Sequence, residues 1–149
     1  MNTWTEKQRQ ILDTIMDEII PPSDDGIIPG AGALGVADFL SAASPYAKDP
    51  IKSALIIINF VGNDFITLPR PTRVAMLKRS ELEHAEAFAT LIRTTYMGYY
   101  SRSDTRPHFG VGPHPIHPLG YKVLPESHEL MNELTEPVRQ RGKVYRDAE

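Results

Sequence analysis

The sequence predicts an all-α fold: an orthogonal bundle of about five helices with a long Pro/Gly/His-rich loop toward the C-terminus. Three observations predict it. Apolar residues recur at helical spacing in several segments, capping residues stand where those segments begin, and prolines stand where they end. At 149 residues the chain can bury one core. It reads as one domain with its core over about 3–100, the loop over 101–125, and a C-terminal helix and tail over 126–149.

The first helix is announced by Thr3 three residues before Glu6, or Thr5 three before Gln8, either of which makes a capping box. Ile11, Leu12, Ile15 and Ile19 then form an apolar stripe, with Asp13 and Asp17 opposite it as solvated residues, and Pro21-Pro22 ends the helix. A turn-rich connection over Ser23–Gly32 leads to a short helix carrying Val36, Phe39, Leu40 and Ala43. Asp49 followed by Pro50 reads as an N-cap and a first-turn proline. The helix after it directs Ile51, Leu55, Ile58, Val61 and Phe65 inward. Thr72 caps a short helix with Val74, Ala75 and Leu77. Ser80 and Glu83 form a capping box that opens the longest and most buried helix, about Glu81 to Tyr99, with Leu82, Ala85, Phe88, Ala89, Leu91, Ile92 and Tyr96 on its apolar arc. From Ser101 to Pro125 no period holds, and a stretch of that length is usually either functional or disordered. A last amphipathic piece, Glu129 to Leu134, precedes a polar tail from Arg139 that is expected to be loose.

Composition excludes several function classes. Sixteen Lys plus Arg against nineteen Asp plus Glu give a formal charge of −3, with no basic stripe to hold nucleic acid. The absence of cysteine rules out disulfides, thiolate nucleophiles and cysteine-held zinc or iron–sulfur sites in this chain. The longest apolar run, Ala54 to Phe60, is far short of the roughly 20 residues of a membrane helix, so no membrane span is expected.

Chemistry has few footholds. Glu81 and His84 stand at the i, i+3 spacing with which di-iron bundles grip a metal, so a stand-alone metal-binding helical protein is one reading; a hydrogen-bonded pair or a helix-cap contact is the other. His108, His114 and His117 are spaced for zinc but lack an acidic or thiolate companion, and His114 and His117 read as contacts on a proline-stiffened loop. Gly30, Gly32 and Gly35 suggest a phosphate loop only superficially, since no Lys-Ser/Thr pair follows; tight backbone approach at a helix start accounts for them better. Ser41, Ser44 and Ser53 lack the surroundings of a nucleophile elbow. By contrast, Tyr96, Tyr99, Tyr100, Arg102, Phe109, His114, Ile116, His117 and Tyr121 concentrate residue types enriched at protein interfaces. The same aromatics also fit the end of a core helix.

The order of Ile19-Ile20-Pro21-Pro22-Ser23-Asp24-Asp25, Ile28-Pro29-Gly30-Ala31, Asp38-Phe39-Leu40, the helix from Phe88 to Tyr99-Tyr100-Ser101 and Pro118-Leu119-Gly120-Tyr121 resembles the gluconate 2-dehydrogenase subunit 3 family over residues 5–125. That resemblance implies a non-catalytic small subunit that binds, stabilises or matures the FAD-containing catalytic subunit of a sugar or polyol dehydrogenase of the glucose-methanol-choline type. It implies FAD in the partner and no catalytic, cofactor or metal residue here, with a cytochrome c accepting electrons in some complexes. Many members begin with a twin-arginine signal, which Met1 to Gln10 lack. This fits a cytoplasmic complex such as a glucoside 3-dehydrogenase, or a periplasmic one exported with its partner or after trimming.

Overall fold

A computed structural model describes residues 4–43, 49–114 and 126–142. Its α-helices are α1 (Glu6–Ile19), α2 (Phe39–Ala42), α3 (Pro50–Val61), α4 (Arg70–Glu83), α5 (Ala85–Tyr100) and α6 (His128–Arg141). Short 3₁₀ turns lie at Val36–Asp38, Phe65–Thr67 and Arg106–Phe109, and no described residue is in a strand, so the fold is all-α. The chain divides into two compact units, Met1–Pro115 with α1 to α5 and Ile116–Glu149 with α6.

In the first unit, Thr5 closes the capping box: the Gln8 amide donates to Thr5 Oγ1 at 3.2 Å and the Thr5 amide to Gln8 Oε1 at 3.0 Å. Ile11, Leu12, Ile15 and Met16 of α1 then enter a core shared with Ala54, Ile57, Ile58 and Val61 of α3 and Phe88, Leu91 and Tyr99 of α5. Full burial of each large aliphatic side chain contributes about 1.5–3 kcal/mol. The pair α3 and α5 makes the broadest contact. α4 is fixed to α1 by the Glu18 carboxylate, whose side chain is 5% exposed; Arg73 Nε donates to it at 2.8 Å and Arg70 Nε at 3.1 Å.

Asp13 and Asp17 are not solvated residues. Arg9, Asp13 and Asp17 form one i, i+4 ridge on α1, and the segment 30–38 docks on it. Asp17 Oδ1 accepts from the Gly32 amide at 2.7 Å and the Ala33 amide at 3.3 Å, while Arg9 holds both Asp13 and Asp38. Withdrawal from water pushes the Asp13 carboxyl up despite Arg9 beside it, and the Asp17 and Asp38 charges act in the same direction. A polar face on a helical wheel thus turns out to be an internal dock.

Several boundaries also differ from the sequence reading. Asp49 stands at the N-cap but at φ +47°, and its side chain makes no capping bond. On α3, Ile51 and Leu55 are half-buried while Ala54 and Ile57 are fully buried. α4 starts at Arg70 rather than at Thr72, because proline is well tolerated in a first turn. It continues through Ser80, so the Ser80–Glu83 capping box does not form; Glu83 pairs instead with Arg79 at 2.6 Å. The break falls at His84 (φ −132°, ψ 46°), and the helical phase restarts there. As a result Leu82 is 84% exposed and Ala85 and Ala89 are exposed. The buried side of α5 is Ala87, Phe88, Leu91, Thr94, Thr95, Gly98 and Tyr99. Both threonines enter the core because their hydroxyls donate to carbonyls of their own helix, Thr94 to Thr90 and Thr95 to Leu91, each at 2.8 Å.

Ser80 has no such outlet. Its hydroxyl is buried without a hydrogen-bond partner among the described residues. Removing a buried unsatisfied group relieves its desolvation penalty, so Ser80→Ala is expected to raise stability by about 0.5–1 kcal/mol. A lower denaturant midpoint in equilibrium unfolding would contradict this.

In the second unit, Ser127 caps α6 by accepting from the Leu130 amide at 3.1 Å. The helix extends beyond the expected Glu129–Leu134 to Arg141, through Pro137. The residues expected to form a loose tail are therefore helical as far as Arg141, and 143–149 lie outside the described residues.

Candidate interaction surface

The last turns of α5 carry the aromatic cluster, and the segment after it folds back on them. Thr105 Oγ1 is buried and caps the helix end by donating to the Tyr99 carbonyl. Arg102 donates to the Leu34 carbonyl at 3.0 Å and grips Asp104 in a two-pronged pair at 2.8 and 2.6 Å. That pair holds the Asp104 carboxyl below its usual range and raises the Arg102 guanidinium. The first half of the expected irregular loop is therefore tied to the body as far as the 3₁₀ turn Arg106–Phe109.

This closure places Phe109 against the helix end. The Tyr96 and Tyr100 rings stack at 5.9 Å with 7° between planes, and the Phe109 ring meets Tyr100 edge-on at 5.0 Å. Tyr96, Tyr100, Phe109 and Val111 are each about two-fifths to one-half exposed, at 43%, 41%, 46% and 47%. Tyr96, Tyr100 and Phe109 gather on one outer face, and clustered apolar groups mark an interaction site more often than scattered ones such as Ile27 and Leu82 do.

Tyr99 must be removed from the candidate set. It is 1% exposed, its hydroxyl donates to the Pro29 carbonyl at 2.9 Å, and Tyr100 packs edge-on against it at 5.1 Å. Burial above all, with Tyr100 and Asp104 nearby, pushes its phenol up, so it stays a neutral donor at physiological pH. Arg102 is half-buried and occupied by Leu34 and Asp104, which makes it a brace for the surface rather than its contact residue. His114 is exposed, while Ile116, His117 and Tyr121 lie outside the described residues.

Alongside the aromatic face runs a mainly apolar groove of about 230 Å³ lined by Ile19, Val74, Leu77, Phe88, Ile92 and Tyr96 together with the charged Glu18, Lys78 and Glu81. Ligand pockets typically run to about 300–1,000 Å³. The groove suits one large side chain of a partner. Sequence reasoning missed it because it is assembled from three helices, although Val74, Leu77, Phe88 and Ile92 were each assigned to apolar faces.

A second concavity, about 380 Å³, opens at the His84 break and is lined by Asp49, Lys52, Ser53, Glu83, His84 and Glu86 among others. The side chains of the Glu81–His84 pair line different concavities. Glu81 is exposed on α4 and lines the other groove, while the His84 ring packs edge-on against Phe60 at 5.1 Å. Among the described residues no group of three or more His, Asp or Glu side chains is placed to hold a metal ion. The three glycines behave as expected of close backbone approach: a Cβ at Gly30 would lie 2.3 Å from Asp17 Oδ1, and Gly35 adopts φ +68°.

Fold and surface together define a small all-α bundle that carries an exposed aromatic face beside a side-chain-sized groove. The chain matches no family model, no curated protein and no solved structure. Among the described residues no helix is long and apolar enough to cross a membrane.

Proposed function

We propose that this chain is a non-catalytic helical subunit that binds, stabilises or matures the FAD-containing catalytic subunit of a glucose-methanol-choline type sugar dehydrogenase. The observation that supports this reading most is the exposed aromatic face of Tyr96, Tyr100 and Phe109, held rigid by the closure of 102–109 onto α5. Rigid rings bury interface area at low entropic cost, and the brace lowers that cost further. The resemblance of residues 5–125 to the gluconate 2-dehydrogenase small subunits supplies the identity of the partner. FAD and the reacting groups then belong to the large subunit. Electrons pass from it to an acceptor such as a cytochrome c, and the complex works in the cytoplasm or is exported as a unit.

Co-expression with an FAD-binding subunit of the glucose-methanol-choline type tests the reading. A stoichiometric complex that raises the flavoprotein's soluble yield is expected, and a flavoprotein that matures fully and alone would refute it. The double variant Tyr96→Ala/Tyr100→Ala is expected to keep its fold, since both side chains are substantially exposed, yet to lose about 1–2 kcal/mol of association per ring. Unchanged affinity in a titration by interferometry would remove these two rings from the interface.

A further inference from the structure

Tyr96 lies in both the stacked aromatic pair and the lining of the groove, so the two form one continuous surface. Its flanks carry a consistent charge. Arg93 stands three residues before Tyr96 and seven before Tyr100, which places all three on a single helical stripe. Arg93 is exposed and has no partner among the described residues. At the other end, Arg106 and Phe109 are three apart in a 3₁₀ turn, where i and i+3 side chains eclipse. Arg106 uses Nε on the Gly112 carbonyl at 2.8 Å, and its two terminal nitrogens have no partner among the described residues.

Two carboxylates near this surface are already engaged, Asp104 by Arg102 and Glu18 by Arg70 and Arg73, while at the groove rim Lys78 and Glu81 contribute one charge of each sign. A chain that is acidic overall therefore presents a locally basic border around its aromatic face.

From this juxtaposition we infer that the face receives an acidic protein segment of the flavoprotein subunit, one that sets a large apolar side chain into the groove and carboxylates against Arg93 and Arg106. The inference rests on the function proposed above. Guanidinium groups that keep their terminal nitrogens free form paired hydrogen bonds with carboxylates, and charges at an interface border steer association and set its salt dependence. At about 230 Å³ the groove is smaller than the usual small-molecule pocket and suits a single side chain, which favours a protein segment as its occupant.

The test uses the full chain and the co-expressed flavoprotein, with affinity followed as salt is raised. Arg93→Glu/Arg106→Glu is the probe, and Lys7→Glu/Lys52→Glu, at exposed positions of α1 and α3 and with the same change in net charge, is the control. Circular dichroism confirms that each variant is folded. The native chain and the control are expected to bind with affinity that falls as salt rises, and the double reversal to bind about tenfold more weakly with a flatter salt profile. Capture of the flavoprotein by the double reversal with native affinity and native salt profile overturns the inference and leaves the proposed function standing. Equal loss in the control assigns the effect to net charge and likewise overturns it. Failure of the native chain to capture the flavoprotein overturns both.

Discussion

Gly32→Ala is expected to destabilise the body by about 3 kcal/mol or more. A Cβ at this position would lie 2.0 Å from the Asp13 carbonyl oxygen and 2.6 Å from its carbon, both backbone atoms of α1 that cannot swing aside. The segment would have to lift from the helix. In lifting it would break the Gly32 amide bond to Asp17 and draw buried Ala31 and Val36 away from the core, since Ala31 is itself fixed by donating to the Ile20 carbonyl at 3.0 Å. Equilibrium denaturation measures the loss. Gly26→Ala is the comparison: no atom lies within 4 Å of a Cβ there, so its effect comes from φ +70° alone. A cost at Gly32 no greater than at Gly26 would show that the segment does not pack against α1 as described.

Tyr99→Ala is expected to cost about 3–5 kcal/mol, and Tyr99→Phe only about 1 kcal/mol. The alanine variant empties the volume of a fully buried ring packed against Tyr100 and Phe109, whereas phenylalanine leaves the ring and strands the Pro29 carbonyl. A cavity here also undermines the surface above it. The Tyr99 carbonyl accepts from Thr105, so the closure that presents Phe109 depends on the same turn. Tyr99→Ala is therefore expected to weaken partner association through loss of order in 102–109, visible as faster hydrogen exchange there. Tyr99→Phe is expected to associate normally. Equal effects of the two variants on association would mean that the hydroxyl, and not the ring, organises the face.

These positions show how far the sequence could be read. Thr5 with Gln8, and Pro21-Pro22, mark the ends of α1 through interactions local to four or five residues, and so their effect was visible before folding. The aromatic concentration at 96–109 was equally plain, but which ring faces outward was not. Tyr96, Tyr99 and Tyr100 differ only in helical phase, and that phase was reset at His84, where a serine three to four residues earlier looked like the natural cap. Ser80 signals a helix start only when its hydroxyl is free to meet an amide, and burial inside α4 denied it that role.

By itself the sequence determined the all-α class, the α1 cap, the proline-set ends of helices, the close approach at Gly30 to Gly35 and the lack of cysteine chemistry, because these follow from chain stereochemistry and neighbouring residues. Only the tertiary structure decided that Asp13 and Asp17 anchor a loop, that Thr94 and Thr95 are core, that Tyr99 is buried and Tyr96 and Tyr100 are not, and that α1, α4 and α5 enclose a groove. Each of these depends on which helix faces which, and that choice is made by the summed burial of the whole core rather than by any local signal.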